Sequence, residues 1–390
     1  MNDMTVLYVL DYGTKGGATI AFIDMVNQMK ENGVTPIVVT GKRTGLNDML
    51  EARGITTVAA GHYTLLESFS FTHWFWPYSY IKRFLRYWIN ERKALKILER
   101  KIEFANIDLI HTNSARNSIG CRLSKKYNTP HVMHIREFAD KDFNCVSFMP
   151  GYIRFFNKNT NAFVSISGAV MNHWNKKGID KNKNHLIYDG VNYRDITVSE
   201  RNKRSVQLKM VITGGVYPTK GQHLAVEAIG MLAPEIRDHV TLDIIGWYNN
   251  KYHQELNNYA SSRGYGDKIR FLGAVDDVHQ RLCNYDIGLM CSRSEGFGLV
   301  TAEYMHAGLG VIASNTGACP EIVEDKKTGL LFSSGDSDDL ARCISLFYRD
   351  RVLLVDCAKN AKVKAQTCFT DEINSKKIRK MYSEVINSEM

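Results

Sequence analysis

Two carboxylates separated by a glycine-rich turn are the residues of this chain that most clearly suggest chemistry. The stretch SRSEGFGLVTAEYMHAG, residues 292–308, carries Glu295 in the turn and Glu303 in the helix that follows. Leu299, Ala302, Met305 and His306 recur at the spacing of a buried helical stripe, and Glu303 falls beside them. YDIGLMCSRS, just upstream, reads as a buried strand. Both glutamates are therefore expected at the carboxyl end of a sheet, where ligands of open α/β sheets bind. Gly296 and Gly298 free the backbone N–H groups around Phe297 to meet an oxyanion. Helix-dipole capping favours an acid near a helix start. It accounts for one glutamate, but not for the pair with its glycines.

A cation is the second candidate. VITGGVYPTKGQHLAVEAI reads as a strand ending at Gly214 and Gly215, then a helix beginning at Lys220-Gly221. A lysine there opposes the helix dipole, a placement that an intervening anion would explain; a side chain reaching into solvent is the equal alternative. The first strand runs into DYGTKGGAT, where Gly13, Gly16 and Gly17 would let a ligand approach the backbone. The loop matches neither the dinucleotide fingerprint nor the phosphate loop, so a tight strand-to-helix turn explains it as well. The second strand ends VVTGKR, without the acid that holds the ribose of NAD. Lys42 and Arg43 would suit a 2′-phosphate and keep an NADP enzyme as an alternative.

Such residues need elements to position them. Short apolar runs (TVLYVL, TPIVVT, ITTVAA, IDLIHT, PHVMHI, AFVSI, HLIYD) alternate with helical patterns such as ATIAFIDMVNQMKENG. After the polar stretch YRDITVSERNKRSVQ the pattern restarts with KMVITG, TLDIIG, IRFLG, DIGLMCS, GVIAS and GLLF. Alternation implies parallel sheets covered on both faces, and the restart implies two such α/β domains with a cleft between them. The length of 390 residues agrees, being too great for one core. The net charge of +9 suits an anionic partner. It is spread along the chain, and no helix-turn-helix, RNA-recognition sequence or zinc finger accompanies it, so nucleic acid is not expected. No run approaches the roughly 20 apolar residues of a membrane span, and MNDMTVLYVLDYG lacks the features of a secretion signal. The 8 cysteines form no C-x-x-C pair and read as reduced thiols of a cytoplasmic protein.

The pattern E-G-F-G-L-x-x-x-E, followed by x-M-x-A-G, resembles the signature of the family 4 retaining glycosyltransferases. Their GT-B fold sets two Rossmann-like domains across a cleft. KGQHLAVEAI is similar to the family's lysine–glycine helix start, IRFLGAV to its base-binding strand, and GACPEIVEDKKTGLLF to its late signature. YDGVN is similar to the family's Asn-Gly-Val-Asp junction, and KGGAT and PHVMHIREF fit its first-domain loops more loosely. The resemblance implies an acceptor-side domain over residues 1–192 and a nucleotide-sugar domain over 193–369. A last helix, within 370–390, would cross back to the first domain.

By the same resemblance, Glu303 would hold the ribose and Glu295 the donor sugar. The backbone at Gly296, Phe297, Gly298 and Leu299 would meet sugar and diphosphate, and Lys220 would neutralise the diphosphate. Gly16 and Gly17 would crowd that group from the other domain, and Gly273 to Val275 would meet the base. The expected activity is metal-independent, retaining transfer from a nucleotide sugar, a UDP-sugar, to a saccharide or lipid-linked acceptor in bacterial polysaccharide or glycoconjugate assembly. The donor diphosphate would take the acceptor's proton, and no cofactor is implied. There are departures. Gly215 stands where the family usually has arginine, so Lys220 acts alone or Arg293 or Arg136 compensates. Arg136-Glu137 replaces a histidine–acid pair. Arg136 would meet acceptor or sugar phosphate and Glu137 would orient a hydroxyl, with a surface salt bridge as the equal alternative. Asp189 and Asn192 are exchanged in character at the junction. A catalytically silent GT-B nucleotide-sugar-binding protein remains a further alternative.

One segment is left over. FSFTHWFWPYSYIKRFLRYWINERK holds most of the tryptophans, and residues 80–101 carry eight Lys/Arg against two Glu. Ile81, Phe84, Leu85, Trp88 and Ile89 form a helical stripe. The expectation is that the stripe packs on the first domain, while the preceding loop FTHWFWPY helps receive a membrane-proximal acceptor. Residues 69–101 would then make peripheral contact with an anionic membrane, at the inner face of the plasma membrane.

Overall fold

The computed structural model describes residues 4–10, 16–62, 64–71, 76–192, 206–248 and 250–388. Gly13, residues 72–75 of the aromatic loop and residues 193–205 of the polar stretch lie outside the described residues. The chain divides into two compact units: Met1–Gly190 with Asp371–Met390, and Val191–Thr370.

The first unit contains strands β1 (Met4–Val9), β2 (Val34–Thr40), β3 (Thr56–Ala59), β4 (Leu66–Ser68), β5 (Leu109–Thr112), β6 (His131–Ile135), β7 (Cys145–Ser147), β8 (Ala162–Ser165) and β9 (Asn184–Leu186). Seven of them form a parallel sheet in the order β3-β2-β1-β5-β6-β8-β9. Val6, Leu7, Tyr8 and Val9 of β1 are all buried, as a central strand covered on both faces requires. The antiparallel pair β4–β7 is an addition that strand–helix alternation did not foretell. The C-terminal helix Asp371–Asn387 belongs to this unit. Its Ile378, Met381, Tyr382 and Val385 join the core of Val6, Tyr8 and Phe22, and the Tyr382 hydroxyl lies 2.6 Å from His111 Nδ1.

The basic helix runs from Trp76 to Lys101 and faces otherwise than expected. Its buried positions are Tyr87, Glu91, Ala94 and Leu98. Glu91 sets that face: it accepts from Ser118 Oγ and pairs with Arg122 at 2.7 Å. With those residues turned inward, Ile81, Leu85 and Ile89 stand 55%, 52% and 52% exposed. Only Phe84 and Trp88 of the stripe are half-buried. Packing of the whole stripe on the domain is thus overturned.

The second unit contains β10 (Leu208–Thr213), β11 (Val240–Ile245), β12 (Ile269–Gly273), β13 (Ile287–Met290), β14 (Gly310–Ser314) and β15 (Leu330–Phe332), in the parallel order β12-β11-β10-β13-β14-β15. Its core joins Met210, Ile212, Leu242, Ile244, Ile287 and Leu289 to Phe347 of the helix Ser337–Arg349. Successive strands run one way from β10 and the other way from β13. The topological switch point, where open parallel sheets bind ligands, therefore lies between β10 and β13.

Candidate active site

Lys220 and Glu295 follow the two strands at this switch point. β10 leads through Val216 and Tyr217 into a tight turn, Pro218–Lys220, and then the helix Gln222–Met231. Gly221, between turn and helix, has φ +72°, and a Cβ there would lie 2.1 Å from the carbonyl oxygen of Cys291. Only glycine lets the turn lie this close to the end of β13. Arg293 N–H donates to Thr219 O at 3.2 Å and fastens the two loops. Across this contact Lys220 Nζ meets Glu295 Oε2 at 3.1 Å, with the lysine half-exposed and the glutamate more enclosed. The fold thus pairs a cation and a carboxylate that are 75 residues apart in sequence.

The turn carrying Glu295 is held from beneath. Its carbonyl accepts from Ala318 N–H at 3.0 Å, so the GACPEI segment supports it. The Phe297 side chain is buried, edge-on to Phe369 with ring centroids 5.6 Å apart. Gly298, at φ +91°, caps the helix Leu299–His306 in a left-handed conformation that favours glycine. Glu303 is half-buried on this helix. The inner face is wider than the expected stripe: Thr301, Ala302, Tyr304, Met305 and His306 are buried, while Leu299 is only half-buried. Tyr304 ties the helix to β10, its hydroxyl accepting from Thr213 N–H at 2.7 Å.

Gly215 brings no charge and its flank is occupied. A Cβ there would lie 2.4 Å from the ring of Tyr217, and its carbonyl accepts from Gln222 Nε2 at 3.0 Å. Gly273 ends β12 and accepts from Gly246 N–H at 2.8 Å. Val275 follows it, and both are half-buried at the sheet edge, with β11 between them and Lys220's strand.

The candidates of the first unit are placed differently. Gly16 caps the helix Gly17–Glu31 in an extended conformation, and among the described residues nothing lies within 4 Å of where its Cβ would be. Gly16 and Gly17 are exposed at the helix start. Arg136, just after β6, is neither open to a ligand phosphate nor part of a surface salt bridge. Its side chain is buried, with Nη1 donating to both Asp189 carboxylate oxygens at 2.9 and 2.7 Å and Nε to Asn113 Oδ1 at 2.8 Å. Burial pushes the Asp189 carboxyl above its ordinary value, and Arg136 opposes the rise. This commitment withdraws Arg136 as a substitute for a cation at 215. Glu137 is buried too, accepting from Ser114 Oγ at 2.8 Å, while its carbonyl accepts from Trp174 Nε1 at 2.8 Å. Arg43, considered for a 2′-phosphate, pairs at the surface with Asp48 and Glu51 at 2.6 and 2.8 Å. Among the described residues, no group of three or more His, Cys, Asp or Glu is placed to hold a metal ion.

Sequence reasoning missed Asp189 as the partner of Arg136. It also missed Tyr217 and Trp247, two exposed aromatics near Gly215. Their signal was an aromatic one or two residues after the glycine that follows a strand, in GGVY and in GWY.

Two parallel α/β units, one with a cation–carboxylate pair at its switch point, have the architecture of the GT-B class. The fold of HepE from Anabaena, solved with UDP and glucose, superposes with a TM-score of 0.77 at 21% identity, over 98% of this chain and 100% of that one. Residues 15–194 match the family described as Glycosyltransferase Family 4, and residues 194–384 match Glycosyl transferases group 1. The chain belongs to glycosyltransferase family 4. An uncharacterized glycosyltransferase of Methanocaldococcus jannaschii is 27% identical over 78% of this chain and 83% of its own length. A capsular polysaccharide biosynthesis glycosyltransferase of Staphylococcus aureus, CapH, is 23% identical over 80% and 81%.

Proposed function

We propose that this glycosyltransferase takes a sugar from a nucleoside diphosphate donor, a UDP-sugar, and transfers it with retention to a saccharide or lipid-linked acceptor during polysaccharide or glycoconjugate assembly. The observation that carries the reading is the Lys220–Glu295 pair at the β10–β13 switch point. Departure of a diphosphate builds negative charge. Lys220 and the amide groups at the start of Gln222–Met231 face that charge without reorganising. Glu295 and Glu303 are hydroxyl-binding groups for sugar and ribose. In a retaining transfer the acceptor enters on the face that the diphosphate leaves, so a leaving-group oxygen accepts its proton and no side-chain base is required. Incubation with UDP-, GDP- and ADP-sugars tests the reading through nucleoside diphosphate release and the anomeric configuration of the product. An inverted product would sink retention, and donor binding without turnover in the presence of acceptor would leave a silent binding protein.

The reading extends to a membrane-borne acceptor. Ile81, Leu85 and Ile89 form an exposed ridge on the basic helix, with exposed Lys82, Arg86, Arg92 and Lys93 on the same element. Apolar side chains would enter the lipid boundary while each nearby cation adds about 1 kcal/mol on an anionic leaflet. Among the described residues, no helix is long and apolar enough to cross a membrane, so this contact would be peripheral, at the cytoplasmic face. The protein is expected to float with phosphatidylglycerol vesicles, and serine at Ile81, Leu85 and Ile89 together to abolish flotation while sparing activity on a soluble acceptor. Wild-type protein that stays unbound refutes the contact.

A further inference from the structure

We propose that Trp247 and Tyr217 form a stacking platform for the nucleobase of the donor. The inference rests on the nucleoside diphosphate donor proposed above.

The platform is built by the loops after β10 and β11. Gly214 N–H donates to Ile245 O at 2.8 Å and Val216 N–H to Trp247 O at 2.9 Å, so the two loops continue the sheet pairing past the strand ends. Tyr217 folds its ring back over Gly215, into the space that any side chain at 215 would take. The rings of Tyr217 and Trp247 then lie 5.9 Å apart, inclined at 42°. Trp247 is 60% exposed and Tyr217 43%. Single exposed aromatics need no explanation. Two in contact, at the ligand-binding edge of a parallel sheet and on the loop that carries Lys220, form a surface for a planar ring.

The order of the strands selects the base rather than the sugar. Glu295 follows β13, on one side of Lys220; Trp247 follows β11, on the other. A donor with its diphosphate at Lys220, its sugar at Glu295 and its ribose at Glu303 extends its base toward β11 and β12. There Gly246 N–H is bonded to Gly273 O, which places Trp247 next to the loop of Gly273 and Val275. Gly215 thereby acquires a role of its own: its bare backbone seats an aromatic surface.

The test combines donor kinetics with tryptophan fluorescence on wild type, W247F, W247A and Y217A. UDP is expected to quench wild-type emission, and pyrophosphate, which lacks a base, to leave it unchanged. W247F removes the quench yet keeps the donor KM within about threefold, because phenylalanine still stacks. W247A raises that KM about tenfold or more with kcat little changed, and Y217A raises it less. An active wild type whose donor KM is unchanged in W247A, or one quenched equally by pyrophosphate, overturns the platform alone. A wild type that neither binds nor turns over any nucleotide sugar overturns the platform together with the proposed function.

Discussion

Alanine at Lys220 is expected to lower kcat/KM for the donor about 10²- to 10³-fold, most of it in kcat, since in the proposed transfer the lysine meets charge that grows as the diphosphate leaves. The ion pair with Glu295 sharpens this expectation in two ways. It holds the ammonium in place before the donor arrives, so little ordering remains to be done at the moment of reaction. It is also half-exposed, and pairs of that kind contribute about 0–1 kcal/mol to stability. The variant should therefore melt close to wild type, and its loss is one of chemistry rather than of folding. Gly215 supplies no charge, with Tyr217 seated over it, and Arg136 is committed to Asp189. Neither is positioned to compensate. Lys220→Arg keeps the charge and should recover part of the rate. Steady-state kinetics with thermal melts on the same samples decide it. A Lys220→Ala enzyme within about tenfold of wild type would remove the lysine from the leaving-group site.

What was legible in the sequence follows from what is local. The runs TVLYVL and DIGLMCS are apolar almost throughout because β1 and β13 are buried on both faces, and such strands announce themselves. EGFGLVTAEY was legible for a similar reason: its left-handed glycine and the helix with Glu303 are set by neighbours in sequence, although the support that Ala318 gives the turn is not. The Lys220–Glu295 pair was not, since it depends on β10 lying beside β13, a fact of strand order. Tyr217 over Gly215 needed a ring orientation that no spacing rule contains. The basic helix misled because two apolar faces overlap on it, and a buried glutamate selects between them. Glu91 looks like surface in the sequence and becomes core only through Ser118 and Arg122. Arg136 misled in the same way. Beside Glu137 it reads as a surface or substrate-facing pair, whereas its partner lies 53 residues on, in the stretch YDGVN.

That partner sets the largest stability effect expected for the chain. Arg136→Ala leaves Asp189 buried without its cation, and Asp189→Leu leaves Arg136 buried without its anion; each should destabilise the first unit by about 3–5 kcal/mol. Removing both charges, as in Arg136→Met with Asp189→Leu, should cost much less than the sum, because no charge is then stranded. The two single variants separate by pH. Burial already raises the Asp189 carboxyl, and Arg136 is what opposes the rise, so without Arg136 the folded-state value climbs further. A group raised in the folded state favours folding where it is protonated, and that benefit is lost as pH rises through the folded value. Arg136→Ala should therefore lie closer to wild type near about pH 5 than near about pH 8, as Asp189 escapes by taking a proton. Asp189→Leu has no such escape, because arginine stays charged, and its deficit should be flat across the same range. Burial also holds His111 and His134 well below the usual imidazole value. They lower stability toward acid, and Arg136 adds to their depression, so its loss eases that penalty as well. Arg136→Met with Asp189→Leu, which lacks both the cation and the carboxyl, is therefore the reference that isolates the Asp189 contribution at each pH. Urea melts at the two pH values read the contrast. A deficit for Arg136→Ala below about 1 kcal/mol, or one that grows toward acid, would mean that the pair is not the buried, charge-compensated tie that the geometry describes.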